Sequence, residues 1–239
     1  MMHLIFIGAH PDDETYASGT IARHVADGGK ATIVVATRGE KGHWKMPSED
    51  LSKLRTREME KAAKILGARL FWLKYEDASV PDGDELRETL VDVYRRLKPD
   101  IVITFHPLVW RDDHRHVGLA ASDATLKASL PLNVTKYPYH RPEPEVYFFG
   151  ETMTPIEPDA FVDVTNQMEM KHRAFLCHAS QWATWEIDGP PDQDQAEKVW
   201  DRFRERFAAN GTECNVDYAE AFISRDRTRK APWLLIPRI

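Results

Sequence analysis

The sequence predicts an α/β fold: a Rossmann-like, doubly wound, mainly parallel sheet flanked by helices, with a more irregular C-terminal third. Three observations carry this. Short apolar runs alternate with amphipathic stretches through the first half of the chain, as in repeated β-α units. The apolar runs are continuous rather than alternating, which is the pattern of strands buried on both faces. The connections between them are long enough for the crossovers that parallel strands require.

Residues 4–7 read as a buried strand that leads directly into A-H-P-D-D-E. Residues 15–27 follow as a helix, with Ala17, Ile21, Ala22 and Val25 at helical spacing and Gly28-Gly29 as its stop. Residues 31–37 form a strand rich in β-branched side chains. Residues 48–66 are helical, opened by Ser48 as N-cap and closed by Gly67. Residues 70–73 are a strand, 84–97 a helix and 101–105 a strand. The proline-rich region 131–160 is less regular and holds a strand at 146–149. A short strand at 162–164 and helices at 168–178 and 194–209 complete the reading. With no repeat, low-complexity tract or linker, residues 1–239 are expected to form one domain: a core over about 1–130 and an irregular part over about 131–239.

Apolar residues make up 42% and charged residues 29% of 239, enough for a buried core under a solvated surface. The formal net charge of -6 argues against nucleic acid as a partner, since phosphate binding needs a concentrated basic face. A local basic pocket for an anionic group is compatible with it. Two cysteines, Cys177 and Cys214, make no disulfide framework and are expected reduced and mostly buried. The apolar run at the N-terminus is too short for a signal peptide, and no segment is long enough to span a bilayer; a cytoplasmic protein with no membrane partner is expected.

Two clusters carry chemistry. In His10-Pro11-Asp12-Asp13-Glu14, four ionisable groups follow a buried strand and are costly to desolvate without a cation. Imidazole with carboxylate suits zinc better than calcium or magnesium. If a helical turn starts at Pro11, His10 and Asp13 face the same way and Asp12 points elsewhere, toward water or substrate. The bland alternative makes the carboxylates first-turn capping charges. A dinucleotide site is disfavoured, because G-A-H-P-D-D is not G-x-G-x-x-G. The second cluster, H-P-L-V-W-R-D-D-H-R-H after the strand ending at Phe105, offers His106, Asp112, Asp113, His114 and His116 in a loop ahead of a helix-like stretch. Catalytic zinc commonly takes three protein ligands and leaves a position for water, so this cluster can supply the third. Asp112 or Asp113 can orient a ligating imidazole from behind.

These segments resemble the PIG-L/LmbE-like family of N-acetylglucosaminyl deacetylases and related amidases. The resemblance rests on A-H-P-D-D-E at 9–14, T-R-G-E at 37–40, R-x-x-E-x-x-x-A-x-x-x-L-G at 55–67, D-H-R at 113–115 and K-x-x-x-x-x-x-H-x-S-Q at 171–181. It implies that His10, Asp13 and His114 ligate one zinc ion per chain, with iron(II) able to occupy the same ligands. It implies that Asp12 is the general base on the zinc-bound water, that Arg55 contacts substrate, and that the partner is a small acylated amino sugar. It also implies a homo-oligomer. Asp77 lies where family members often carry an aspartate after the third strand, and Asp77 and Glu14 are taken as substrate-binding candidates. His178 is assigned a structural or a catalytic role.

One departure matters. The family usually shows H-P-D-H, with the first His stabilising the tetrahedral intermediate; here the stretch is Arg111-Asp112-Asp113-His114. A guanidinium can stabilise an oxyanion but cannot give up a proton near neutral pH. Arg111, His106 and His116 are therefore all candidates for that task. Trp44, Trp110, Trp182 and Trp185 lie in polar segments where aromatic faces suit sugar rings, and residues 39–47 can close over a site. Cys177 is read as core packing. The expected activity is zinc-dependent N-deacetylation of an N-acetylglucosamine-type sugar or glycoside. The alternatives are an amidase on another acylated scaffold, such as a thiol-glycoside conjugate or an antibiotic, and a non-catalytic carbohydrate-binding relative.

Overall fold

The computed structural model describes residues 1–150, 156–183 and 192–226. Strand β1 (His3–Gly8) is buried from its second residue onward and pairs in parallel with β2 (Lys30–Val35), whose Ala-Thr-Ile-Val-Val run is equally buried. β2 pairs with β3 (Arg69–Trp72) at the sheet edge, where the residues are only partly covered. The chain then crosses to the other side of β1 as β4 (Ile101–Phe105), followed by β5 (Glu145–Phe149), both parallel. The order reverses between β1 and β4, so a crevice opens beyond their carboxyl ends. The register from Leu4↔Ile101 to Ile7↔Thr104 sets those two ends level. Strands β6 (Ala160–Asp163) and β7 (Ala219–Ser224) finish the sheet, with β7 antiparallel to both β5 and β6. The seven strands run in the order β3-β2-β1-β4-β5-β7-β6.

The helices are α1 (Ser18–Ala26), α2 (Ser48–Ile65), α3 (Asp84–Leu97), α4 (Asp112–Ser129), α5 (Met168–Phe175), α6 (Ala179–Trp182) and α7 (Gln193–Cys214). A second apolar cluster, built on Phe175, Trp200 and Phe207, fixes α7 against α5 and α6. Among the described residues no helix is long and apolar enough to cross a membrane.

Five elements differ from expectation. The helix expected over 15–27 is split into a 3-10 turn at Asp13–Tyr16 and then α1, because Ala17 leaves helical geometry at φ -129. The helix expected over 168–178 stops at Phe175, and α7 runs on to Cys214 through Gly211, whose missing Cβ lets the Val216 carbonyl approach. α4 starts at Asp112, so Asp113 and His114 sit in a helical first turn rather than in a loop. β7 has no counterpart in the sequence reading: Ala-Glu-Ala-Phe-Ile-Ser has weak strand propensity, and its Glu220 is buried against Lys171. The two cysteines are free and half-buried rather than buried.

Candidate active site

The loop after β1 and the first turn of α4, which follows β4, meet in the crevice. Asp12 adopts φ 114, a left-handed conformation unusual for a side-chain-bearing residue. The turn that follows brings Asp13 back so that its Oδ2 accepts the N–H groups of Ala9 and His10, each at 2.8 Å. Asp13 Oδ1 lies 3.5 Å from His114 Nε2. His10 Nδ1 lies 3.0 Å from that same His114 nitrogen. His114 is held from below by stacking on Phe105, with centroids 3.9 Å apart. α4 can lie this close to β4 because Gly118 has no Cβ, which would stand 2.2 Å from the Phe105 carbonyl oxygen.

The far nitrogen of His10 is engaged on the opposite side. Nε2 lies 2.9 Å from Asp77 Oδ1 and 3.3 Å from Asp113 Oδ2. Asp113 also accepts the N–H groups of Ala78 and Val80, and Asp77 accepts that of Lys41 at 2.8 Å. Burial resists charging His10, but the bonds to Asp113 and Asp77 outweigh it and push its pKa up to about 10. Asp77 moves the opposite way: burial would raise it, and His10 draws it down to about 2. The T-R-G-E segment supports this arrangement, since Glu40 Oε1 accepts the Asp77 N–H at 2.9 Å.

Asp12 faces the pocket with its Oδ2 3.1 Å from Arg55 Nη2. Burial raises its pKa to about 6 against the pull of Arg55. Arg55 is buried, not a surface helix charge, and also donates to the carbonyls of Gly39, at 3.0 Å, and Pro11. Gly39 takes φ +64, and a Cβ there would stand 2.2 Å from the guanidinium.

His10, Asp13 and His114 could hold a metal ion, as could a second grouping, His10 with Asp77 and Asp113. The first fits better. A tetrahedron with bonds of about 2.0–2.1 Å has edges of roughly 3.3–3.4 Å, close to the distances among these donors. In the second grouping the carboxylates already accept backbone N–H groups and the His10 N–H, the arrangement of carboxylates that orient a ligating imidazole. Two imidazoles and one carboxylate suit zinc or iron(II).

The pocket, about 310 Å³, gathers His10, Asp12, Asp13, Arg55, Asp77 and Arg111. Asp113 and the unforeseen Lys41 and Gln181 also line it. His106 and His116 do not: His106 Nδ1 accepts the Leu108 N–H and His116 Nδ1 meets the Val80 carbonyl. Of the three oxyanion candidates, Arg111 alone is at the pocket. Glu14 is buried behind it, bonded to His178 at 2.7 Å and to the Asp12 N–H at 3.2 Å. Trp44 and Trp110 are exposed and off the lining, Trp182 stacks on Phe175, and Trp185 lies outside the described residues.

The mostly parallel sheet flanked by helices is that of the LmbE-like class of α/β proteins, and beyond β1 and β4 it carries a His/Asp grouping that could hold a metal ion. The chain belongs to the PIG-L family (GlcNAc-PI de-N-acetylase), whose profile matches residues 5–125. It is 30% identical over 193 residues to the probable N-acetyl-alpha-D-glucosaminyl L-malate deacetylase 2 of Bacillus anthracis, covering 76% of this chain and 82% of that one. It is 28% identical over 197 residues to the 4-oxalmesaconate hydratase of Pseudomonas putida, covering 76% and 75%. Its fold matches the N,N'-diacetylchitobiose deacetylase of Pyrococcus horikoshii with a TM-score of 0.81, 26% identity, and 97% and 87% of the two chains covered.

Proposed function

We propose that the protein is a zinc-dependent hydrolase that removes the N-acetyl group from an N-acetylglucosamine-type sugar or glycoside, with Asp12 as general base. The observation that carries this is the placement of the Asp12 carboxylate in the pocket beside the His10, Asp13 and His114 donors, braced by Arg55 at 3.1 Å. The deacetylase relatives support the substrate class.

Zinc held by His10, Asp13 and His114 would make a water acidic near neutral pH and polarise the acyl carbonyl. Asp77 and Asp113 keep the His10 proton on Nε2, leaving Nδ1 as the donor. Asp12, anionic above about pH 6, takes the proton of the attacking water and returns it to the departing amine nitrogen. Arg55 fixes the carboxylate in line for both transfers. Arg111, at the N-cap of α4, offers N–H donors to the oxyanion that forms on the carbonyl.

The hydratase relative favours a second reading, in which the same water-activating groups add water across a carbon–carbon double bond. Product analysis separates the two: deacetylation yields acetate and a primary amine in equal amounts, whereas hydration yields neither. On an acetylated sugar, Asp12→Asn is expected to keep its metal and lose about 10²–10⁴-fold in kcat. Full turnover in a metal-loaded Asp12→Asn enzyme removes Asp12 from the role of base.

A further inference from the structure

The motif from Lys171 to Gln181 lies outside the residues that the family profile matches, and nothing in the proposed chemistry uses it. Its last four residues nonetheless reach three segments of the active site. His178 Nε2 meets Glu14 Oε1 at 2.7 Å, and the other Glu14 oxygen accepts the Asp12 N–H at 3.2 Å. Ser180 gives its N–H and hydroxyl to the two oxygens of Glu58, at 2.9 and 2.6 Å. Glu58 stands three residues after Arg55 on α2, on the same side of the helix. Gln181 donates to the Gly42 carbonyl at 3.3 Å and itself lines the pocket.

Two further features separate this from ordinary packing. His178 is fully buried, yet its Nδ1 has no partner among the described residues. A buried nitrogen without a partner calls for an explanation beyond packing. The group it ultimately restrains, Asp12, holds a strained left-handed backbone, which persists only where neighbouring groups over-determine it.

We propose that residues 178–181 form a positioning element, in which His178 acting through Glu14, together with Ser180 and Gln181, holds Asp12 and Arg55 at the geometry that turnover requires. This rests on the reading of Asp12 as the base. His178 touches no reacting atom; it acts through the Glu14 carboxylate on the Asp12 amide. The C-terminal part of the chain thereby sets the efficiency of a site whose proposed ligands and base all come from the first half.

The test compares wild type with His178→Ala, Glu14→Ala, Glu14→Gln and Gln181→Ala, all metal-loaded, with Lys53→Ala as a surface control. Amide hydrogen exchange over residues 9–16 is read alongside kcat and KM on an acetylated sugar. In His178→Ala and Glu14→Ala, exchange is expected to rise about tenfold or more and kcat to fall about 10–100-fold, with metal content kept and KM within about threefold. Glu14→Gln, whose amide oxygen still accepts the Asp12 N–H, is expected to recover most of both. Gln181→Ala strands no buried charge and keeps the question open to test if the other variants fail to fold; it is expected to lose about threefold or more in kcat. Wild-type exchange and kcat in folded His178→Ala or Gln181→Ala would overturn the proposal, as would Glu14→Gln no better than Glu14→Ala. Exchange is read without turnover, so a wild type inert on acetylated sugars would end the deacetylase reading while exchange still decided the positioning.

Discussion

At the scale of single residues, the site is two charge arrangements that share His10. On one side, Nδ1 faces Asp13 and His114; on the other, Nε2 is gripped by Asp77 and Asp113. Metal-free His10 is protonated on both nitrogens up to about pH 10, so a metal ion must displace the Nδ1 proton to bind while the Nε2 proton stays hydrogen-bonded to Asp77 and Asp113. Apparent metal affinity should therefore rise roughly tenfold per pH unit between pH 6 and 8. Asp77→Asn should lower affinity about 10–100-fold, because the imidazole loses its orienting carboxylate. Titration calorimetry checks both. Arg55 favours the ionised form of Asp12, the form that the proposed base requires. Removing that cation by Arg55→Met should move the acid limb of the kcat–pH profile upward by about one to three pH units. An unmoved limb would separate Arg55 from Asp12. The gathering of His10, Asp12 and Asp13 at one pocket was legible in the sequence, because dense carboxylate and imidazole after a buried strand have few other uses, whereas only the family resemblance singled out His114 within its cluster. The inward turn of Glu14 was not, since its partner His178 lies 164 residues away.

At the scale of elements, the crevice depends on how closely α4 lies on β4. The strand itself was legible as a continuous apolar run, and α3 could be read at both ends from its periodicity. The start of α4 was hidden, because R-D-D-H-R-H has the polarity of a loop; the first turn of a helix tolerates those carboxylates through the helix dipole. The Gly118 approach places His114, so Gly118→Ala should force the helix away from the Phe105 carbonyl. About 1–3 kcal/mol of stability should be lost, visible as a lower Tm, together with weaker metal retention. An unchanged Tm would mean that the close approach is not required. The division of labour between His106 and His116 was equally unreadable from spacing. Both follow β4, yet both end in backbone hydrogen bonds, and Arg111 takes the pocket.

At the scale of the whole molecule, the first half supplies the proposed chemistry and the second half closes the sheet and braces it. The parallel pairing of the first four strands followed from the β-α alternation, while the order β3-β2-β1-β4-β5 is seen only in the fold, where the reversal between β1 and β4 explains why both clusters converge. The antiparallel β7 could not be foreseen. Its Glu220 is buried in a pair with Lys171 and caps the start of α1 through the Gly19 and Thr20 N–H groups, an arrangement that only the folded chain supplies. Every step of the proposed mechanism requires that His10, Asp13 and His114 hold one metal ion that makes Asp12-dependent deacetylation operate. The most direct measurement is acetate release from an N-acetylglucosamine oligomer by metal-stripped protein, titrated with zinc. The predicted result is activity that rises to a plateau at about one zinc per chain and is absent from His114→Ala at the same zinc. Acetate release from the stripped protein, undiminished by chelator or by His114→Ala, would contradict it.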